Sequence, residues 1–252
     1  MSAHVDVHGH LGEYGQFRVP CGAAGDLVRR MDLLGVERLV LSAHAAFASD
    51  YRWGNYLAAE AAARHPGRIF FYAVANPGYP EEIEGELDRC ADRPGFAGVK
   101  LHPAVHACAL ESPGYAPAWR WALRRSAPVL THYWSGNPHC GEGNVHRVAG
   151  EYPEVQLILA HLGGFDRGCA GLPALAREHA HLWFDTAGSR HPRGTLEALV
   201  AAGLADRLLY GSDMPFIDPG GQLGKVLYAN IAEEVRGAIL GGNARRLFGW
   251  RE

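Results

Sequence analysis

The sequence predicts a parallel (β/α)8 barrel. Eight short strand-like segments alternate with helical patterns along its 252 residues. Several of those strands, such as VQLILA and RLLYG, are near-continuous apolar runs, which marks parallel strands covered on both faces. The third observation is chemical. Histidine, lysine and aspartate recur where these apolar runs end, and the C-terminal strand ends are where a (β/α)8 barrel carries its chemistry. An open doubly wound sheet is the alternative, but no GxGxxG follows the first strand and no P-loop occurs. No repeat or long linker interrupts the alternation, so residues 1–252 read as one domain.

The first strand, 3–8, lies in AHVDVHGHLG. An amphipathic pattern at 24–34 (GDLVRRMDLLG) leads to the second strand, 37–42. Strands then follow at 69–75, 97–101, 128–132, 155–160, 182–186 and 207–211. Helical patterns at 52–65, 80–91, 116–126, 144–151, 172–180 and 193–202 separate them. The closing segment, 231–249, holds two helical stretches, NIAEEVRGAIL and NARRLF, broken by Gly241-Gly242.

Asp6, His8 and His10 open the chain's chemistry. Residues two apart on a strand share a face, so His8 and His10 project side by side, as two imidazoles gripping one metal ion do. Alone, HxH is a weak signal. It gains weight because further candidate ligands end later apolar runs: His132 in PVLTH, His161 in VQLILAH and Asp213 in RLLYGSD. Lys100 ends strand four. It and Lys225 are the only lysines among 24 basic residues. Lysine can shed its proton where arginine cannot, so a lysine that survives such a bias points to a role guanidinium cannot fill.

The net charge of −3 and the lack of a basic run argue against a nucleic-acid partner. No charged-then-apolar leader and no stretch near 18 apolar residues is present, which reads as a cytoplasmic protein with no membrane partner. Five cysteines (Cys21, Cys90, Cys108, Cys140 and Cys169) lack CxxC spacing and read as free thiols. The expected partner is a small-molecule substrate, with self-association left open.

The stretches VDVHGHLG, GFAGVKLHP, PVLTH, VQLILAHLGG, LLYGSDMPF and ILGGNARRLFG together resemble the amidohydrolase superfamily. Within it they resemble the amidohydrolase-related group that includes aminocarboxymuconate-semialdehyde decarboxylase. The resemblance spans essentially the whole chain. It implies a metal-dependent barrel that hydrolyses C–N or C–O bonds or removes carboxyl groups. It places His8, His10, His132 and Asp213 at metal positions and His161 at a catalytic or second-metal position. The loop HYWSGNPHCGEGN after strand five departs from the group's pattern and brings Tyr133, Trp134, His139 and Cys140 near the mouth.

Three imidazoles and a carboxylate suit one divalent ion, Zn2+ first, with Mn2+, Fe2+ or Co2+ also compatible. The favoured reading is hydrolysis of an amide, cyclic amide, lactone or ester. A metal-bound water attacks, Asp213 serves as general base and His161 stabilises the oxyanion. The alternative is a non-oxidative decarboxylase on the same residues, and a third reading is a silent metal-binding barrel. Lys100 clamps a substrate carboxylate, bridges a second ion as its carbamate, or forms a buried ion pair. His44, Arg52 and Trp134 are the further expected substrate contacts. Asp213 read as an ordinary turn residue, and His161 as a capping residue, are the bland alternatives. His102, just before Pro103, reads as a loop histidine or as one that lines the mouth, and His106 follows it at even spacing. His179, His181 and His191 show no convergent pattern, and Cys140 lacks a base that would make it a nucleophile.

Overall fold

The computed structural model describes residues 4–15, 18–19, 22–164, 168–188 and 191–250. Ala3 and Cys21, which entered the sequence reading, lie outside them. The strands are β1 (His4–Leu11), β2 (Val36–Ala43), β3 (Ile69–Val74), β4 (Phe96–Leu101), β5 (Val129–Thr131), β6 (Leu157–Leu159), β7 (Leu182–Asp185) and β8 (Leu208–Leu209). They form one parallel sheet in sequence order. Hydrogen bonds from the Val7 N–H to the Tyr210 carbonyl, 3.0 Å, and from the Asp213 N–H to the His8 carbonyl, 2.7 Å, bring the last strand back to the first. That closure makes the (β/α)8 barrel.

One irregularity in β1 decides where the site sits. Asp6 pairs with Leu39 and Gly9 with Leu41, so β1 carries one residue more than β2 across this span. Such a bulge re-aims side chains. Val5, before it, and Val7, within it, pack with Val40, Tyr72, Leu130, Ile158 and Leu209 in a buried inner cluster. His8, the next residue, and His10, beyond the bulge, line a cavity at the strand ends. Gly9 lets β1 pass close at this crossing: a Cβ there would meet Leu39 Cδ1 at 2.7 Å and the Met214 carbonyl oxygen at 3.3 Å. Phe248 and Trp250, from the closing segment, pack against the inner cluster. The larger core lies between the strands and the surrounding helices.

Beyond short extra helices at Ala45–Ala48 and Pro103–His106, the helices differ from expectation near Gly241-Gly242 and after β8. Gly241-Gly242 do not break the closing segment. The chain passes through them as a wider π-type turn, Ala238–Gly242, directly into the helix Asn243–Phe248. Asn243 supports this path by donating to the carbonyls of Ala205 and Leu208. A helix over Pro219–Leu227 was not expected, since three glycines weaken its pattern. The Asp218 side chain caps it by accepting from the Gly221 N–H at 2.8 Å.

Candidate metal centre and cavity

The cavity at the C-terminal strand ends has a volume of about 260 Å³. His8, His10, Lys100, His132, His161 and Asp213 all line it, together with the expected contacts His44 and Trp134. The residues come from strand ends around the barrel or the turns that follow them.

His8, His10 and Asp213 converge. His10 Nε2 lies 2.9 Å from Asp213 Oδ1, and His8 Nε2 lies 3.6 Å from the same oxygen. All three side chains are buried. The far nitrogens are tied: His8 Nδ1 to Asp185 Oδ2 at 2.8 Å, and His10 Nδ1 to Ser42 Oγ at 3.3 Å. A carboxylate behind an imidazole fixes its tautomer and leaves the other nitrogen's lone pair facing inward. The inward donors are two nitrogens and one carboxylate oxygen, within ligand reach of one another. That set fits a divalent transition ion.

Asp213 occupies the left-handed region, φ 62°, as does His161, φ 67°. Such backbone costs non-glycine residues roughly 1–3 kcal/mol and gathers at functional sites. Asp6 does not line the cavity. Its Oδ1 accepts from the His8 and Ser212 amides at 3.1 and 3.0 Å, bracing β1 against the end of β8. Burial pushes its carboxyl up to about 7.

His132 stands apart from the convergent triad. Its Nδ1 lies 3.1 Å from His161 Nε2, and its ring is stacked on His102 at 4.4 Å and on Trp134 at 5.4 Å. Trp134 in turn lies against Gly164, where a Cβ would come within 2.5 Å of the indole. His44 stacks on His10 at 4.5 Å.

Electrostatics inside the cavity follow from burial. His10 is pushed down to about 3 and His161 to about 4, in both cases first by desolvation. Burial pushes Asp213 upward, but the His10 hydrogen bond and the imidazoles of His8, His10 and His161 outweigh it and hold it well below the usual carboxylate range. Lys100 is buried, with Nζ 3.1 Å from His8 Nε2, and desolvation lowers it to about 8. It is the only lysine or arginine among the described residues that line the cavity.

The sequence reading missed Asp185, which ends β7. Besides holding His8, its Oδ1 accepts from the amides of His161 and Ala187, both at 3.0 Å. The signal was present: an aspartate closing the apolar run LWFD. Arg52 requires the opposite correction. It lies outside the cavity, 58% exposed, and pairs with Glu82 at 2.8 Å, because the helix Tyr51–Arg64 turns Tyr51 and Gly54 inward and Arg52 out to solvent. His102 lines the cavity, whereas His106 is held by the Tyr115 hydroxyl at 2.6 Å. Cys140 is buried, and burial raises its thiol to about 11, against a nucleophile. Lys225 donates to the carbonyls of Thr186 and Gly188 at 2.9 and 2.6 Å, bracing the chain after β7.

Comparison with known proteins adds chemistry to this geometry. The amidohydrolase family model matches residues 5–250. The gamma-resorcylate decarboxylase of Rhizobium sp. is 23% identical over 290 residues, covering 88% of this chain and 85% of that protein. Among solved structures, the dihydroxybenzoic acid decarboxylase of Polaromonas sp. JS666, with bound manganese and the inhibitor 2-nitroresorcinol, superposes with TM-score 0.78. It is 20% identical and covers 99% of this chain and 97% of its own. The 5-carboxyvanillate decarboxylase of Sphingomonas paucimobilis gives TM-score 0.76 at 15% identity, covering 99% of both chains. The curated relatives are decarboxylases, and this overturns the hydrolase expectation. The error has a plain cause: hydrolysis and decarboxylation draw on the same ligands, so the residues alone could not separate them.

Proposed function

The chain belongs to the amidohydrolase family, and from that premise we propose that it is a metal-dependent, non-oxidative decarboxylase of a small hydroxylated aromatic acid. The observation that carries this reading is the likeness to gamma-resorcylate decarboxylases along most of the chain. The cavity supports it. Trp134, His132 and His102 form a stack of flat rings, and Phe47 and Phe216 add further aromatic surface. Such walls suit a planar ring, and Lys100 offers the positive charge a carboxylate needs.

His8, His10 and Asp213 are assigned to hold one divalent ion, Zn2+ or Mn2+; His132, which stands apart from them beside His161, is kept as a fourth ligand on the family resemblance alone. When bound, that ion supplies Lewis-acid attraction for anionic substrate oxygens. The remaining work falls to the protein. Decarboxylation adds a proton to the ring carbon that bears the carboxylate. The carbon–carbon electron pair then returns to the ring, and CO2 leaves. A neighbouring hydroxyl enriches that carbon in electrons. Asp213 and His161 are assigned to relay the proton; Asp213 is ionised at rest, so it takes the proton up before passing it to the ring carbon. Burial presses His161 towards its neutral form, so a proton it holds is readily passed on. Lys100 orients the substrate, and the aromatic walls exclude water from the ring carbon as it is protonated.

The test is a panel of hydroxybenzoates set beside small esters, amides and lactones, assayed with the Mn2+- and Zn2+-loaded enzyme. The expected result is CO2 release with formation of the matching phenol. Acid production from the esters, amides or lactones, with no CO2 from any hydroxybenzoate, would overturn the proposal.

A further inference from the structure

We propose that a second transition-metal site lies on the outside of the barrel, formed by His146, Glu178 and His179. His146 stands in the helix Glu142–Glu151. Glu178 closes the helix Leu172–Glu178, and His179 follows it. These helices succeed β5 and β6. His179 lies just before β7 begins, at the opposite end of the barrel from the cavity.

Three donor atoms meet there. His146 Nδ1 is 3.1 Å from His179 Nε2 and 3.2 Å from Glu178 Oε2. A tetrahedral ion bound at about 2.0–2.1 Å sets its ligands about 3.3 Å apart. The observed spacings are already close to that. Among the described residues, the three atoms have only one another as partners for the contacts they make here. His146 Nδ1 faces both His179 Nε2 and Glu178 Oε2 and, whichever ring nitrogen carries the proton, a single N–H on it cannot serve both at full strength, whereas a cation would engage all three atoms at once. Beside the cluster, the ring of His181 stands edge-on to that of His179 at 5.8 Å, and its Nε2 is buried with no hydrogen-bond partner among the described residues.

The backbone is held ready. Arg207 Nη1 donates to the carbonyl of Ala176 at 2.8 Å and to that of His179 at 3.4 Å, on either side of Glu178. The His179 N–H closes the helix on Leu175 at 2.9 Å. The site remains reachable, since the His146 and Glu178 side chains are 40% and 60% exposed. Two imidazoles and a carboxylate select Zn2+, Ni2+ or Cu2+ over Mg2+ or Ca2+. Bound there, such an ion would tie two neighbouring outer helices together.

This site stands independently of the reaction in the cavity. Its test titrates Zn2+ into the Mn2+-loaded enzyme and into the His146→Gln/His179→Gln double variant. Equilibrium dialysis reads bound Zn2+ and retained Mn2+ together. The wild type should bind one more equivalent of Zn2+ than the variant. Its melting midpoint should also rise by roughly 5–10 °C relative to the variant at Zn2+ about a hundredfold above Kd. Equal Zn2+ uptake by the two proteins, with no difference in melting shift, would overturn the site. If the double variant does not fold, Glu178→Gln replaces it. Weakening of the extra equivalent by about tenfold supports the site, and unchanged affinity refutes it.

Discussion

Asp185→Asn separates the geometry of this centre from its mere composition. The side chain is fully buried and makes three bonds: to His8 Nδ1 at 2.8 Å and to the amides of His161 and Ala187 at 3.0 Å each. Asparagine has the same shape but only one acceptor oxygen. If that oxygen keeps the two amides, the new NH2 faces His8 Nδ1 and forces the proton onto Nε2. The inward lone pair is lost, and Nε2–H then confronts Lys100 Nζ at 3.1 Å. Losing such support costs metal affinity about 10–100-fold, or about 1.4–2.7 kcal/mol. If the oxygen instead turns to His8, two buried amides lose their acceptor, at about 1–3 kcal/mol each. One penalty or the other is unavoidable. Chelator competition at fixed pH measures the first, and urea unfolding of the metal-free protein measures the second. An Asp185→Asn variant with unchanged metal affinity and unchanged stability would refute the argument that Asp185 fixes the His8 tautomer.

Gly164→Ala places a methyl 2.5 Å from the Trp134 indole at φ +93°; displacing that ring should raise KM for an aromatic acid, and unchanged kinetics would show that Trp134 does not bound the substrate. Lys100 is lowered from 10.5 to about 8 by burial, so the unfolded chain binds more protons between those values and stability should rise there with pH, by up to about 3 kcal/mol. Lys100→Met should lose that rise in pH-dependent unfolding, while Lys100→Arg should abolish turnover. Density beyond Nζ with two metal ions would instead identify a carbamate. Arg52→Ala, which removes an exposed pair outside the cavity, should leave kcat/KM within about twofold and stability within about 1 kcal/mol; a large loss would bring Arg52 back to the substrate. Asp213→Asn and His161→Gln should each cut the decarboxylation rate by about 100-fold or more while folding normally, and near-normal rates in both would remove them from proton delivery.

The strands were legible because buried parallel strands must be apolar whatever lies beside them, and the rim residues because each terminates such a run. His8, His10 and Asp213 could be read in this way, as could Lys100 and His161. The sequence also carried the family, since its motifs recur in order along the chain. Three features needed the fold. The bulge between Asp6 and Gly9 is set by pairing with β2, and no periodicity within β1 reveals it. Arg52 was placed by the packing of its helix, which buries Tyr51 and Gly54 and leaves Arg52 exposed to pair with Glu82. Asp185 and His8 are 177 residues apart, and only barrel closure makes one the support of the other. The same holds for His179, which showed no convergent pattern in the sequence, and for His146, which drew no notice there: two adjacent helices set their nitrogens 3.1 Å apart. Residue type and local period are properties of the chain and survive in the sequence. Convergence belongs to pairs of distant residues and exists only once the chain has closed.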